Sequence, residues 1–321
     1  MVEERIGEPP ATEQSTRVRL DLAYDGTDFV GWSRQPGLRT VQGELNAALD
    51  TIFTRHGPTP QLTVAGRTDA GVHALGQVAH LDLTAAQVTS LERPRRGGSG
   101  RKLDGLSTLG RRLNGIAGYD EDLRVRRAIR APDGFDARFS GIWRRYEYRV
   151  SDGNGPRNPL ERRNTLWYPR SLNVNDMNAA ADTLLGLHDW AAYCKASDVG
   201  STIRTLQEFR WTREPHGVIS ARVVADAFCH NMVRALVGAT VAVGSGSLGI
   251  DELRTIRDGL RRTDRFTVVA AKGLTLMEIG YPPDAQLAAR AEQTRAVRPP
   301  IAGSGAVDGL PAQLTRPVDL D

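Results

Sequence analysis

The chain of 321 residues is long enough to bury one large hydrophobic core or two ordinary ones, and its formal net charge of +4 is mildly basic. Its two cysteines are too few for a disulfide framework or a cysteine zinc cage, and neither has a second thiol near it in sequence, so we expect a reduced, cytoplasmic chain. The amino-terminal residues lack the apolar core of a secretory signal, and the longest apolar stretch, residues 235–243, is too short to cross a bilayer.

The basic residues are concentrated in the middle of the chain. Residues 91–170 contain nineteen Lys and Arg against ten Asp and Glu, whereas the remainder carries a net charge of −5. Such a concentration of cations suits a phosphate backbone, because neutralising phosphates supplies affinity that does not depend on sequence. A solvated, arginine-rich surface without a ligand accounts for the same pattern, and composition alone leaves both interpretations open.

The first part of the chain is predicted to begin with a flexible tail and to continue as a strand, a helix and two further strands. Residues 1–16 are polar and contain proline, without periodicity. Apolar residues then alternate with charged ones over 18–22, which indicates a strand. An apolar stripe at helical spacing predicts a helix over 41–53, and short strands are expected at 61–65 and 77–83.

The run ERPRRGGSGRKL, residues 92–103, interrupts this periodicity. Five cations and three glycines in so short a segment do not suit a packed core. We therefore predict a basic insertion loop, followed by a helix. Strands are then expected at 123–129 and 143–150, and a helix over about 175–185.

A second stretch repeats the arrangement of the first. Strands are expected at 203–213 and 218–225, followed by a helix whose apolar register runs from 228 to 243. Asp251 is a plausible N-cap of another helix, and a cleanly alternating strand is expected over 274–281.

Strands with interleaved helices, twice over, predict an α+β fold in which two half-domains share a mostly antiparallel sheet. We place the amino-terminal half at residues 17–130 and the carboxy-terminal half at residues 131–284. Residues 285–321 are rich in Ala, Gly and Pro without sustained periodicity, which predicts a flexible tail.

The most informative segment is VAGRTDAGVH, residues 64–73. A strand is expected to end here, and Gly66 and Gly71 bracket a turn that can bring the backbone close to a ligand. Arg67 precedes Asp69 by two residues, and a guanidinium at that distance would keep a partly buried carboxylate ionised and usable as a nucleophile or base. Taken alone, the same residues fit an Asx-turn with a surface ion pair.

Six further motifs accompany this segment along the chain. They are YDGTDFVGWSRQ (24–35), TVQGEL (40–45), FDARFS (135–140), RRYEY (144–148), FCHNMVR (228–234) and AKGL (271–274). Together and in this order, the motifs resemble the tRNA pseudouridine synthase A family over residues 17–282. The chain departs from the family pattern at Ser33, where the family usually has glutamine, and in the insertion and the long carboxy-terminal tail.

The resemblance implies two ferredoxin-like, or RRM-like, halves around one continuous, mostly antiparallel sheet with a basic cleft. It also implies a homodimer that binds tRNA, with no membrane attachment. The implied reaction is the isomerisation of uridine to pseudouridine in the anticodon stem-loop, at tRNA positions 38 to 40. The family needs neither a metal nor an organic cofactor for this reaction.

The resemblance also assigns roles to individual residues. Asp69 is implied as the catalytic carboxylate, and it could attack the sugar, attack the base or remove a ribose proton. Arg67 is the candidate for keeping Asp69 ionised and, after base flipping, for filling the space that the uridine leaves. Tyr146 is implied as the platform on which the flipped uracil stacks, although a tyrosine on a strand often serves only as core packing.

Four more residues complete the predicted substrate site. Lys272 is one of only three lysines in an arginine-dominated chain, and it precedes the last strand. Leu274 could form a wall of the uracil pocket. Arg204 and Arg234 are candidates for phosphate contacts or for an ion-pair network around Asp69.

Two other functions remain as alternatives. A non-catalytic RNA-binding module would explain the basic surface, but a phosphate binder gains nothing from the acidic Asp69 in its loop. A metal-dependent hydrolase would use His73, His80 and Asp69, whose spacings fit no compact metal motif. His230 and Cys229 fall within the expected apolar helix, and we interpret them as packing residues rather than as a catalytic pair.

Overall fold

The computed structural model describes residues 15–92, 105–195 and 201–295. These residues form a ten-stranded sheet and seven α-helices. The strands are β1 (Thr16–Tyr24), β2 (Thr63–Val64), β3 (His73–Leu83), β4 (Leu123–Arg130), β5 (Trp143–Ser151), β6 (Leu166–Trp167), β7 (Gly186–Asp189), β8 (Ile203–Arg213), β9 (Ile219–Ala225) and β10 (Leu274–Gly280). The helices are α1 (Val41–Phe53), α2 (Ala85–Glu92), α3 (Gly105–Ile116), α4 (Val174–Asp182), α5 (Met232–Gly244), α6 (Ile250–Asp258) and α7 (Leu287–Arg295).

The sheet runs in the order β4-β1-β3-β10-β5-β9-β8-β7, with β2 beside β3 and β6 beside β5. The pairs are antiparallel except for β10 with β3 and β6 with β5. The β3–β10 pairing is short, since only two residue pairs are in register, Thr275 with His73 and Leu276 with Ala74. This short parallel junction joins the early strands of the chain to the late ones.

The same order of elements occurs on each side of the junction. The first set is β1-α1-β2-β3-α3-β4, whose strands lie in the order β4-β1-β3-β2. The second set is β5-α4-β8-β9-α5-β10, whose strands lie in the order β10-β5-β9-β8. The predicted α+β class with a mostly antiparallel sheet is therefore confirmed.

Two hydrophobic cores accompany the two sets of strands. The first contains Val18 and Leu20 of β1 with Leu45 and Leu49 of α1, all fully buried. The second is built around the fully buried side chains Tyr148, Trp190, Trp211 and Leu236. Each core removes apolar surface from water, which is the main favourable term in folding.

The helix predicted from the apolar stripe between Val41 and Phe53 is confirmed, because its local signals agree. The Thr40 hydroxyl accepts a hydrogen bond from the Gly43 N–H and caps the helix. Val41, Leu45, Ala48, Leu49 and Phe53 then form one buried stripe. Most of the other expected elements are present with ends shifted by a few residues, and β3 extends back to His73.

Three sequence expectations need correction in the carboxy-terminal part. Helix α5 begins at Met232 rather than at 228, because Asn231 has a left-handed backbone with φ of +66°. Helix α6 is capped by Gly249 instead of Asp251, which lies within the first turn. Residues 287–295, assigned to the flexible tail, form α7, where Leu287 and Ala291 are buried.

Residues 1–14 and 296–321 of the predicted tails and residues 93–103 of the basic run lie outside the described residues. None of the helices in the described ranges has the length and apolar character that a membrane crossing requires.

Candidate active site

Asp69 lies in the loop of residues 65–72, between β2 and β3, and hydrogen bonds to its backbone fix the loop. The Val72 N–H donates to the Asp69 carbonyl at 3.1 Å and closes the turn. Gly71, with φ of +76°, takes the left-handed conformation that this turn requires, and its N–H donates to the Phe29 carbonyl at 3.2 Å. The Trp32 N–H donates to the Thr68 carbonyl at 3.0 Å, so the segment of residues 31–35 also holds the loop.

A buried network of polar side chains also holds the loop. The hydroxyls of Tyr24 and Thr68 are 2.7 Å apart, and the Gln77 amide donates both to the Tyr24 hydroxyl at 3.1 Å and to the Gly66 carbonyl at 2.8 Å. Burial raises the pKa of Tyr24 to about 12, so its hydroxyl stays protonated at physiological pH. A fully satisfied buried network of this kind rigidifies the segment that it contacts.

The Asp69 carboxylate faces two side chains from the other side of the sheet junction. His230 Nε2 is 3.4 Å from Asp69 Oδ1, and Arg234 Nη1 is 3.7 Å from Asp69 Oδ2. The Asp69 side chain is 30% exposed, which leaves the carboxylate accessible to a substrate. The Arg234 guanidinium is itself oriented, since Nε donates to the Val269 carbonyl at 2.8 Å and Nη1 donates to Asn231 Oδ1 at 3.2 Å.

Tyr146 of β5 lies close to this carboxylate. Burial raises the pKa of its hydroxyl well above 10, and the nearby Tyr24 and the negative charge of Asp69 raise it further. The Tyr146 ring packs edge-on against Phe228 with centroids 5.2 Å apart. Its strand neighbours are Leu276 on β10 and Val223 on β9. The structure thus brings Tyr146, Arg234 and Asp69 together.

The other predicted site residues are arranged differently. Arg67 is exposed in the Asp69 loop and lies near Arg138, whose pKa is lowered by burial and then by the charge of Arg67. Within the described residues, the cationic groups within 4 Å of the Asp69 carboxylate are instead those of Arg234 and His230, the latter when protonated. The expected pairing of Arg67 with Asp69 is therefore replaced by Arg234.

The other three residues of the predicted site contact neighbouring side chains and backbone. The Lys272 ammonium lies over the Trp167 ring, 5.9 Å from its centroid. Leu274 is buried and opposite Tyr148 across the β10–β5 pair. Arg204, the second residue of β8, donates from Nη1 to the Ile203 carbonyl at 2.6 Å.

The histidines of the hydrolase alternative already have structural partners. His73 Nδ1 accepts the Gly26 N–H at 3.0 Å, and Nε2 lies within 3.0 Å of the Lys272 carbonyl. His80 Nδ1 accepts the Ala137 N–H at 3.0 Å, and burial, followed by the charge of Arg17, lowers the pKa of His80. These contacts occupy the lone pairs that a metal would need, and the described residues contain no group of three or more His, Cys, Asp or Glu side chains placed to hold one.

Two of the sequence interpretations were wrong. His230 is not a packing residue, since its side chain is 47% exposed and faces Asp69. The two cysteines are not separate thiols: the structure joins Cys194 and Cys229 in a disulfide with Cα atoms 5.8 Å apart. The two cysteines are 35 residues apart in the sequence. A local sequence pattern does not show that the fold brings them together.

The known proteins that this chain resembles carry the same description. A family model described as tRNA pseudouridine synthase matches residues 180–282. The tRNA pseudouridine synthase A of Leifsonia xyli subsp. xyli is 57% identical over 289 residues, which cover 89% of this chain and 99% of that protein. The enzymes of the same name from Streptomyces griseus and Mycobacterium leprae are 51% and 43% identical, over 88% and 90% of this chain and 94% and 98% of theirs. The chain therefore belongs to the tRNA pseudouridine synthase A family, whose members are isomerases that convert uridine to pseudouridine.

Proposed function

We propose that this chain isomerises uridine to pseudouridine in tRNA, with Asp69 as the catalytic carboxylate. The observation that carries the proposal is the carboxylate itself, which is fixed on a hydrogen-bonded loop and faced by Arg234 and His230. Within tRNA, we assign the modified uridines to positions 38 to 40 of the anticodon stem-loop. The enzyme that modifies them is a cytoplasmic homodimer. Neither a metal nor an organic cofactor takes part in the proposed reaction.

The chemistry needs a positioned carboxylate and little else. The bond between N1 of uracil and C1′ of ribose breaks, the base turns, a bond forms between C5 and C1′, and the C5 proton moves to N1. Substrate and product are isomers, so no co-reactant enters the balance. Asp69 can attack C1′, attack the base or remove a ribose proton, and each route uses the carboxylate that the Arg234 guanidinium faces.

The surrounding residues receive roles that fit their positions. Tyr146 stacks under the flipped uracil, since it lies near enough to feel the charge of Asp69 and its ring packs against Phe228. Arg67, exposed on the same loop, enters the space that the flipped nucleotide leaves. Leu274 backs the pocket wall, and Lys272 and Arg204 contact phosphates at its margin.

We further assign the two sets of elements to two ferredoxin-like half-domains, residues 17–130 and 131–284. The support is the β-α-β-β-α-β order of each set and the separate hydrophobic core of each. The carboxylate comes from the first half and Arg234, His230 and Tyr146 come from the second. The site would then lie in the cleft where the two halves meet.

The proposal is tested with tRNA transcripts that carry uridine at only one of positions 38, 39 and 40, and cytidine at the other two. Purified protein in excess chelator should form pseudouridine at each of these positions and at none outside the anticodon stem-loop. A transcript with cytidine at all three is the matched control and should yield none. Pseudouridine elsewhere in the tRNA would refute the assigned positions, and no pseudouridine in any transcript would refute the activity.

A further inference from the structure

His230 is placed against the carboxylate by an unusual local backbone. The residue after it, Asn231, has a positive φ of +66°, which ends the extended chain after β9 and starts α5 one residue later. Non-glycine residues adopt this conformation at a cost, so the surrounding structure must hold it. The Met232 N–H donates to the Cys229 carbonyl at 3.0 Å and the Ala235 N–H to the Asn231 carbonyl at 2.9 Å, which stabilise the turn.

The segment that carries His230 is also tied to a neighbouring stretch of chain. The Lys195 N–H donates to the His230 carbonyl at 2.9 Å, and the adjacent residues Cys229 and Cys194 form the disulfide. Two consecutive residues are thus linked to two consecutive residues 35 positions earlier. These ties fix the backbone from which the imidazole extends, although the imidazole itself is half exposed.

Each oxygen of the Asp69 carboxylate has its own partner. His230 Nε2 lies at Oδ1 and Arg234 Nη1 lies at Oδ2, at 3.4 and 3.7 Å. Contacts of this length in a free enzyme shorten when substrate closes the site. Contacts at one oxygen alone would leave the carboxylate free to rotate, whereas contacts at both fix its plane.

We propose that His230 is a positioning residue for pseudouridine formation, whose Nε2–H donates to Asp69 Oδ1 and sets the orientation of the carboxylate. The inference rests on the proposed function of Asp69. Packing does not explain this side chain, because almost half of it is exposed to solvent. Its effect acts through Asp69 and is therefore expected on the rate of chemistry rather than on tRNA affinity.

The test uses the difference in reach between two amides. The side-chain N–H of His230→Gln can occupy the position of Nε2, whereas that of His230→Asn is too short, and His230→Leu has no donor. His216→Leu, in the exposed turn between β8 and β9, is the matched control. Single-turnover rates of pseudouridine formation and tRNA dissociation constants are measured for all four variants, and thermal unfolding confirms that each is folded.

We expect the Gln variant to retain the wild-type rate within about threefold, since its amide N–H can donate in place of the imidazole Nε2–H. The Asn and Leu variants should lose about 10- to 100-fold in rate, the range that misplacing a reacting group produces, with dissociation constants within about twofold of wild type. A Leu variant as fast as the Gln variant, a Gln variant as slow as the Leu variant, or a loss confined to affinity would overturn the inference.

Failure of the inference is distinguishable from failure of the proposed function. If wild-type protein forms pseudouridine and Asp69→Asn does not, while His230→Leu is unimpaired, the function stands and the role of His230 falls. If Asp69→Asn is as active as wild type, the proposed function of Asp69 falls, and the inference with it.

Discussion

The loop that carries Asp69 and the segment that carries its partners differ in how they are built. Residues 65–72 are held by backbone hydrogen bonds to two neighbouring segments and by the buried Tyr24–Gln77 network. Residues 228–234 precede and begin α5, contain a strained backbone at Asn231, and expose the His230 side chain. The reacting group is thus held by backbone and buried side-chain hydrogen bonds, whereas its two partners extend from a left-handed turn and from the first turn of a helix.

The two regions pack mainly against different cores, although Val72 at the end of the Asp69 loop lies in the second core. The neighbours of the Asp69 loop, Tyr24 and Trp32, lie in the first hydrophobic core, whereas Met232 and Val233 of α5 lie in the second. Between them the sheet is continuous only through the short parallel pairing of β3 with β10. The distances from Asp69 to His230 and Arg234 therefore depend on the pairing of β3 with β10.

The largest effect among the surrounding residues is expected at Arg234. Arg234→Gln removes the charge at Asp69 Oδ2, while the glutamine can still reach some of the same carbonyl partners. We expect the single-turnover rate to fall by about 100-fold, as for loss of a preorganised charged partner in an active site. Arg254→Gln, which removes an exposed cation of α6 paired with Asp251, is the control and should be unchanged. An equal effect of the two substitutions would show that the Arg234 charge has no special role at Asp69.

The junction itself can be loosened by one methyl group. A Cβ on Gly76 of β3 would overlap the Met277 carbonyl of β10, so Gly76→Ala must push the two strands apart. We expect the free energy of unfolding to fall by about 1–3 kcal/mol, the usual effect of overpacking, with a parallel loss of activity. Gly115→Ala in α3 meets no atom within 4 Å and should leave stability unchanged or raise it by up to about 1 kcal/mol. Denaturant unfolding of both variants measures the difference, and equal stabilities would contradict the importance of the junction.

The network under the Asp69 loop is expected to have a smaller effect. Tyr24→Phe removes the hydroxyl that links Thr68 to Gln77 and should lower the stability by about 1–2 kcal/mol, with a rate reduced by less than about tenfold. A rate loss as large as that of Arg234→Gln would mean that the loop is far less rigid than its contacts indicate.

The same tyrosine gives a pH test with a defined sign. Since burial raises its pKa from 10 to about 12 in the folded protein, folding favours the protonated form. The stability from this group is complete below pH 10 and is lost as the pH rises through 12. Tyr24→Phe should therefore lose less stability than wild type between these pH values in denaturant titrations.

The smallest expected effect concerns affinity alone. The excess of cations in residues 91–170 predicts that tRNA affinity falls steeply with salt, with a log–log slope steeper than about −2. Replacing the five cations of residues 92–103 with serine should flatten this slope and weaken binding, while the rate at saturating tRNA is unchanged. If wild type and the serine variant show the same dependence of tRNA affinity on salt, residues 92–103 do not contact tRNA.

The sequence predicts those parts of the fold and site that have a local cause. Helix α1 has a cap and an unbroken apolar stripe, and the Asp69 loop has a motif within ten residues. Arg234 falls in a second motif, so the sequence names it as a candidate. The sequence does not show that its guanidinium faces Oδ2 of Asp69.

The parts that the sequence misses depend on one backbone angle or on distant contacts. The apolar spacing of 228, 232 and 235 continues through Asn231, so it hides the positive φ that moves His230 out of the helix. The polar pair His230-Asn231 before an apolar run is the one local signal of a helix start there. The Cys194–Cys229 pair has no local signal, and α7 has no clear apolar stripe because Leu287 and Ala291 are its buried residues.

A comparison of Asp69→Asn with wild type shows directly whether Asp69 is used for chemistry and not for binding. The amide is nearly isosteric with the carboxylate but is neither a nucleophile nor a base. Single-turnover pseudouridine formation and tRNA binding are measured on the same preparations. We expect the Asn variant to have a rate below about a hundredth of wild type, a loss typical of removing an essential group, with the dissociation constant within a few-fold of wild type because phosphate contacts dominate affinity. A rate above that hundredth, or a loss that appears only in tRNA binding, would contradict this role of Asp69.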